Sequence, residues 1–139
     1  MAIKRDPLDA VFSNCIRERA NYICECCGVD YRHRPQGLHC SHFFGRRAKS
    51  VRWEPLNAAA HCYACHQRLG ANPIDFARWI ENYLGEEKHG ILIEKKNTLI
   101  KLTAKDKAEM RKFYQGELEV MQKKRADGEM GRIEFVGWL

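Results

Sequence analysis

Two cysteine pairs, Cys24-Glu25-Cys26-Cys27-Gly28 and Cys62-Tyr63-Ala64-Cys65-His66, decide how this chain can fold. Each C-x-x-C presents two thiolates from one tight turn, and two such turns complete a tetrahedral sulfur site for Zn²⁺. Cys24, Cys27, Cys62 and Cys65 are therefore the expected structural zinc ligands, with Gly28 allowing the chain to turn beneath the metal. The competing reading is buried free thiols or a redox pair. Thirty-four residues separate the pairs, more than in a simple zinc ribbon, so a substantial insertion lies between the two halves. The chain carries 7 cysteines, and residues 1–9 contain no apolar stretch of the secretion type. A reducing compartment, the cytoplasm, is the expected location, and there paired cysteines hold metal more often than disulfides. Cys15 is expected to pack in a helix; Cys26 and Cys40 are spare thiols.

The 139 residues suffice for one domain, or one domain with a helical appendage, and 45% hydrophobic with 30% charged residues is a globular balance. No apolar run approaches the length of a membrane span, so no membrane association is expected. The net charge of +6 is concentrated. Residues 31–70 hold Arg32, Arg34, Arg46, Arg47, Lys49, Arg52 and Arg68 against Glu54 alone, whereas the flanking segments nearly cancel. An Arg-rich, nearly acid-free segment is the footprint expected of a nucleic-acid-binding face, because the guanidinium fork suits bidentate phosphate contact. Arg46, Arg47, Lys49, Arg52 and Arg68 are the expected DNA contacts; a solvated basic loop is the plainer alternative.

Around the cysteines the pattern is mixed. Asp6-Pro7-Leu8-Asp9 reads as a capped helix start, continued by Val11, Phe12, Cys15 and Ile16 and ending near Ala20. Residues 37–43 and 57–61 read as two short strands joined by an Arg-rich loop, with a short helix beginning near Tyr63. A second capped helix begins at Asn72-Pro73-Ile74-Asp75, carries the stripe Phe76, Trp79, Ile80, Tyr83 and Leu84, and should end at Gly85. Residues 86–101 are ambiguous between helix and strand. Thr103 and Asp106 open a last helix whose inner face is Met110, Phe113, Tyr114, Leu118 and Met121, with Glu117 the polar exception. Ile133 and Phe135 in the C-terminal tail alternate like a strand, and either pack back or meet a partner; a homodimer is one expectation.

The chemistry-bearing residues lie in the insertion. His39 and His42 sit on the first strand, Asn57 opens the second, and His66 directly follows the last zinc cysteine. His42…Asn57…His66 is an H-N-H arrangement. Phosphodiester hydrolysis needs a base for water, which a histidine titrating near neutrality supplies. It also needs a cation to neutralise the developing charge and the leaving oxygen. His42 is the expected base and His66 the expected ligand of a catalytic divalent ion. Asn57 either fixes the inter-strand loop or orients the base. The ion's second ligand is open among Ser41, His39 and water, with His39 expected on the opposite strand face from His42.

Several stretches then match one pattern in order: Ile16-Arg-Glu-Arg19 before Cys24-x-x-Cys27-Gly28, then Ser41-His42-Phe43, Arg52-Trp53-Glu54-x-x-Asn57, and Cys62-x-x-Cys65. Gly70-x-Asn72-Pro73, Leu84-Gly85-Glu86-Glu87 and an amphipathic helix after Thr103 follow. Over about residues 13–122 the chain resembles the HNH (ββα-metal) endonucleases, and within them the phage NinG/Rap recombination endonuclease family. The resemblance implies a zinc-stabilised ββα-metal core flanked by N-terminal and C-terminal helices, an α+β fold. It implies a nuclease core over 1–72 and a helical extension over 73–139. It also implies a Zn(Cys)4 knuckle, a catalytic Mg²⁺ or Mn²⁺, and cleavage of branched recombination DNA such as Holliday junctions or D-loops, inside the bacterial host cytoplasm. His42 carries over as base and Asn57 as the central asparagine. Position 66 departs from the NinG-like pattern, which often has Asn there. An HNH nicking enzyme of phage DNA packaging or restriction, and a non-catalytic zinc module that only binds DNA, are the two alternative functions.

Overall fold

Asp6 starts the first element by accepting a hydrogen bond from the Leu8 N–H at 2.9 Å, while Asp9 accepts one from the Asp6 N–H at 2.7 Å, a reciprocal cap. The structure, a computed structural model, describes residues 3–139. Among these are four α-helices and one two-stranded antiparallel sheet: α1 (Pro7–Arg19), β1 (Leu38–His42), β2 (Ala58–Cys62), α2 (Tyr63–Ala71), α3 (Pro73–Lys96) and α4 (Ala104–Ala126). The fold is α+β, with the strands and the first turns within a residue or two of where the sequence puts them. Among the described residues no helix is long and apolar enough to cross a membrane.

The strand register pairs Leu38 with Cys62, Cys40 with Ala60 and His42 with Ala58. Alternation turns these six side chains to one face, where α1 packs; the His42 ring stacks on Phe12 of α1, centroids 6.2 Å apart. His39, Ser41, Ala59 and His61 take the other face, beneath α2 and α3. There His39 meets Tyr63 and His66 of α2, and His61 meets Trp79 of α3. Ala58, Ala59 and Ala60 are fully buried because β2 has helices on both faces and leaves room for methyl groups only.

Gly85 departs from its expected role as a terminator. Its φ of +81° breaks the helical path, a conformation that glycine adopts readily, but helical structure resumes at once and α3 continues to Lys96. The stretch after the kink, ambiguous in sequence, is helical and buries Leu92 completely. On α4, Met110, Tyr114, Leu118 and Met121 are buried, and Glu117 accepts the Val136 N–H at 2.9 Å. The tail packs back without forming a strand. Ile133 and Phe135 are buried, and the Ile133 N–H donates to the Arg19 carbonyl at 3.1 Å. Phe12, Tyr114 and Phe135 form an edge-to-face aromatic cluster, so α1, α4 and the tail share one core.

One buried ion pair locks the inter-strand loop to α1. Arg52 donates to Asp9 from Nη2 at 2.6 Å and from Nε at 3.1 Å, and the Trp53 indole N–H donates to the same carboxylate at 2.9 Å. Arg52 is only 8% exposed, which corrects its expected role as a DNA contact: its fork is already occupied. Burial alone would raise the Asp9 carboxyl, but the hydrogen bonds and charge of Arg52, with the Asp6 N–H and Trp53, hold it below its ordinary value. Asp9→Asn should therefore cost about 3–5 kcal/mol by stranding a buried guanidinium, read as a lower denaturation midpoint. Because the folded-state pKa is depressed, the wild-type contribution is present above about pH 3.9 and lost as pH falls below it; the variant should lack that part of the acid transition.

Candidate metal centre and cleft

The cysteine knuckle is built by backbone hydrogen bonds before any metal is considered. The Gly28 N–H donates to the Cys24 carbonyl at 2.8 Å, and the Cys24 N–H donates to the Val29 carbonyl at 2.9 Å. Gly28 sits at φ +80°, where a side chain would be strained. The other pair sits where β2 passes into α2, with Cys62 at the helix N-cap. The sulfurs of Cys24, Cys27, Cys62 and Cys65 all lie within 4.8 Å of one another. Four sulfurs about 2.3 Å from one tetrahedral ion lie roughly 3.8 Å apart, and the Cys27–Cys62 separation is 3.8 Å. The donor set and its spacing are compatible with structural zinc. Cys26 stands outside the cluster and accepts from Arg68 Nη2 at 3.1 Å, which places Arg68 beside the knuckle.

His66 follows Cys65 and faces His39 on the α2 side of β1, ring centroids 5.6 Å apart. His42 leaves β1 on the α1 side, and its Nε2 is 3.1 Å from the Arg52 carbonyl. A carbonyl only accepts, so Nε2 carries the proton and Nδ1 keeps its lone pair. Burial pushes the His42 imidazole below its ordinary pKa and outweighs the raising effects of that carbonyl and of Asp9, so the ring is neutral at neutral pH. His66 is lowered in the same direction by burial and by His39. Although His39 and His42 leave opposite faces of β1, both line one open cleft of about 670 Å³ at the free edge of that strand, together with His66 of α2.

Asn57 is fully buried and takes the loop-fixing role. Its Oδ1 accepts the Phe44 N–H at 2.8 Å, and its Nδ2 donates to the carbonyls of Phe44 and Val51, each at 2.9 Å. Ser41 is buried, and its Oγ has no hydrogen-bond partner among the described residues; the same holds for Nδ1 of His66 and both ring nitrogens of His61. Burial pushes the His61 imidazole down to about 4, with His66 and Arg68 adding to the shift, so His61 is a neutral packed ring against Trp79.

Of the expected DNA contacts, Arg46, Arg47, Lys49 and Arg68 are exposed, and Arg46 lines the cleft. Arg5 and Arg17 line it too, and the sequence reading missed both. Counted along the chain, they are cancelled by Asp9 and Glu18. In the fold Asp9 is taken up by Arg52, with Arg46 at 4.0 Å, and Glu18 by Arg32 at 2.9 Å and Arg125 at 3.5 Å, so neither carboxylate neutralises Arg5 or Arg17. Among the described residues Arg17 bonds only neutral groups, Asn14 Oδ1 at 2.6 Å and the Leu38 carbonyl at 3.5 Å. Compared with known proteins, the chain matches no family model, no curated protein and no solved structure.

The purified chain should carry one tightly held zinc. Stripping it with a chelator, or Cys65→Ser, should abolish most helical circular dichroism, because the metal's binding energy is folding energy. Cys26→Ser should leave zinc content and fold intact; equal loss in both variants would show the ligand set to be misassigned.

Proposed function

We propose that the chain is a metal-dependent DNA endonuclease built on an HNH-type ββα-metal core. The observation that carries this reading is the His42 hydrogen bond. With Nε2–H committed to the Arg52 carbonyl, Nδ1 is left as a neutral base on a cleft shared with His66 and walled by Arg5, Arg17 and Arg46. Nδ1 takes a proton from water, the water oxygen bonds to phosphorus in line, and the P–O3′ bond breaks to leave a 5′ phosphate and an O3′ that takes a proton from solvent to become the 3′ hydroxyl. Arg5, Arg17 and Arg46 hold the phosphate backbone. His66 would hold a divalent ion, Mg²⁺ or Mn²⁺ by the family resemblance, and that ion would supply neutralisation of the developing negative charge. Asn57 acts through the loop, bonding Phe44 and Val51 on either side of the segment that carries Arg46, Arg47 and Lys49. The preferred substrate is branched recombination DNA, which rests on the resemblance.

A second reading, a zinc-knotted DNA binder without catalysis, is favoured by the other side of the same observation. A histidine stacked on Phe12 with one nitrogen satisfied is also what a packed core residue looks like. Nicking of supercoiled plasmid with Mn²⁺ separates the two. Wild type should cut, and His42→Ala should lose at least a hundredfold in rate while keeping zinc and DNA affinity. Equal rates in the two proteins would remove the endonuclease. Four-way junctions should be cut faster than linear duplex; equal rates would leave a nicking enzyme without branch preference. Arg17→Ala should weaken binding of any DNA sequence and lower the salt slope by about one, measured by fluorescence anisotropy across a salt series.

A further inference from the structure

We propose that the tip of the inter-strand loop carries a stacking site for one unpaired DNA base, with Phe44 as its platform. The site deepens the reading above and rests on its DNA-binding half, not on catalysis. Phe43 and Phe44 are neighbours with different fates. Phe43 turns inward and meets the rings of Phe76, Trp79 and Tyr83. The chain has 6 phenylalanines, and among the described residues Phe44 alone has no aromatic ring against it. Its ring is half-buried, with the Lys96 ammonium above it, 5.2 Å from the centroid. The backbone beneath is held from both sides. Asn57 Oδ1 accepts the Phe44 N–H at 2.8 Å and Asn57 Nδ2 donates to the Phe44 carbonyl at 2.9 Å. The next turn is closed by the Ala48 N–H, which donates to the Gly45 carbonyl at 2.9 Å. A platform fixed in this way loses little freedom when a ligand docks on it.

Phe44 borders an open groove of about 680 Å³, together with Arg46, Arg47, Lys96, Ile3 and Ala48. Among the described residues no carboxylate lines this groove, so its charged lining is wholly positive. Arg46 comes no nearer a carboxylate than 4.0 Å, at Asp9. Gly45 and Arg46 line both this groove and the histidine cleft, which makes the loop tip the ridge between them. A DNA strand whose phosphate rests on Arg46 therefore brings a neighbouring nucleotide to the groove. The lining then selects the state of that nucleotide. Cations hold phosphate, whereas an aromatic face binds the face of a base. In regular duplex both faces of a base are covered by its neighbours in the stack, so only a nucleotide taken out of the stack can turn one to Phe44. Taking it out costs least where pairing is already lost, as at a bulge or a branch point. The groove thus gives the chain a physical ground for preferring distorted over regular DNA, which arginine contacts to phosphate do not supply.

The test measures binding of the full chain, with no divalent ion added for catalysis, to three labelled DNAs by fluorescence anisotropy. One is a plain duplex, the second carries one extra unpaired thymidine, and the third carries an abasic residue at that place, which keeps the phosphate and the bend but lacks the base. Wild type should bind the thymidine bulge roughly fivefold or more tighter than either of the others. Phe44→Ala should bind all three alike, at the wild-type affinity for plain duplex. Phe44→Trp should keep the preference. Phe44→Leu, which keeps an apolar side chain in the loop without a flat face, should lose most of it while retaining wild-type circular dichroism, and so reads the same loss if the alanine variant folds poorly. An abasic bulge bound as tightly as the thymidine bulge, or a preference that survives in Phe44→Leu, overturns the site. The two readings fail separately. If the preference depends on Phe44 but no metal ion supports cleavage, the endonuclease falls and the stacking site stands. If wild type nicks plasmid yet binds the three DNAs alike, the stacking site falls and the endonuclease stands.

Discussion

Four cysteine sulfurs drawn within 4.8 Å tie the turn after α1 to the junction of β2 and α2, and every other feature of the cleft is arranged from that knot. The β-hairpin has only two strands of five residues each, too little to be stable alone. The knuckle holds one end of it. The Glu25 N–H donates to the Ala60 carbonyl at 2.9 Å and Glu25 Oε2 accepts from the Ala60 N–H at 2.8 Å, so the knuckle also covers the outer edge of β2. Structural zinc in small domains contributes about 10–16 kcal/mol, as much as the whole net stability of a typical domain, about 5–15 kcal/mol. A zinc ion bound by this cluster would therefore contribute to folding as well as to local order.

The free edge of β1 is what remains open. β2 has helices on both faces and the knuckle on its edge, whereas β1 borders the cleft. Side-chain alternation then sends His42 to one side of that edge and His39 to the other, with His66 brought up beside His39. The two sides differ in environment. On the α1 side, Asp9, Arg52 and Trp53 form a saturated polar network that fixes the loop carbonyl against which His42 is oriented. On the α2 side, buried polar atoms of Ser41 and His66 are left without partners. The open nitrogen of His42 and the paired rings of His39 and His66 thus meet across one strand edge, separated by the pleat of the sheet rather than by distance along the chain.

Much of this was legible residue by residue. Cysteine spacing identified the four sulfurs, because a C-x-x-C turn has one common geometry for two thiolates. Asp6-Pro7 and Thr103 marked helix starts, because caps are local hydrogen bonds. Gly85 was misjudged: its positive φ was foreseeable, but whether the chain stops or only kinks depends on Leu92 finding a buried seat. Arg52 was also misjudged, because a sequence charge count treats every arginine as solvated. Arg5 and Arg17 were hidden by the converse error, their charges cancelled on paper by carboxylates that the fold pairs with other arginines.

The sequence by itself determined the metal-type knot, the order of helices and strands, and the residue types able to do proton and metal chemistry. These follow from short-range geometry that a few neighbouring residues dictate. Only the tertiary structure decided which nitrogen of His42 is left open, that His39 stands beside His66, and which arginines remain to meet a partner. Those outcomes depend on contacts between residues tens of positions apart, where burial and pairing, rather than residue type, set the charge and the hydrogen bonds that survive.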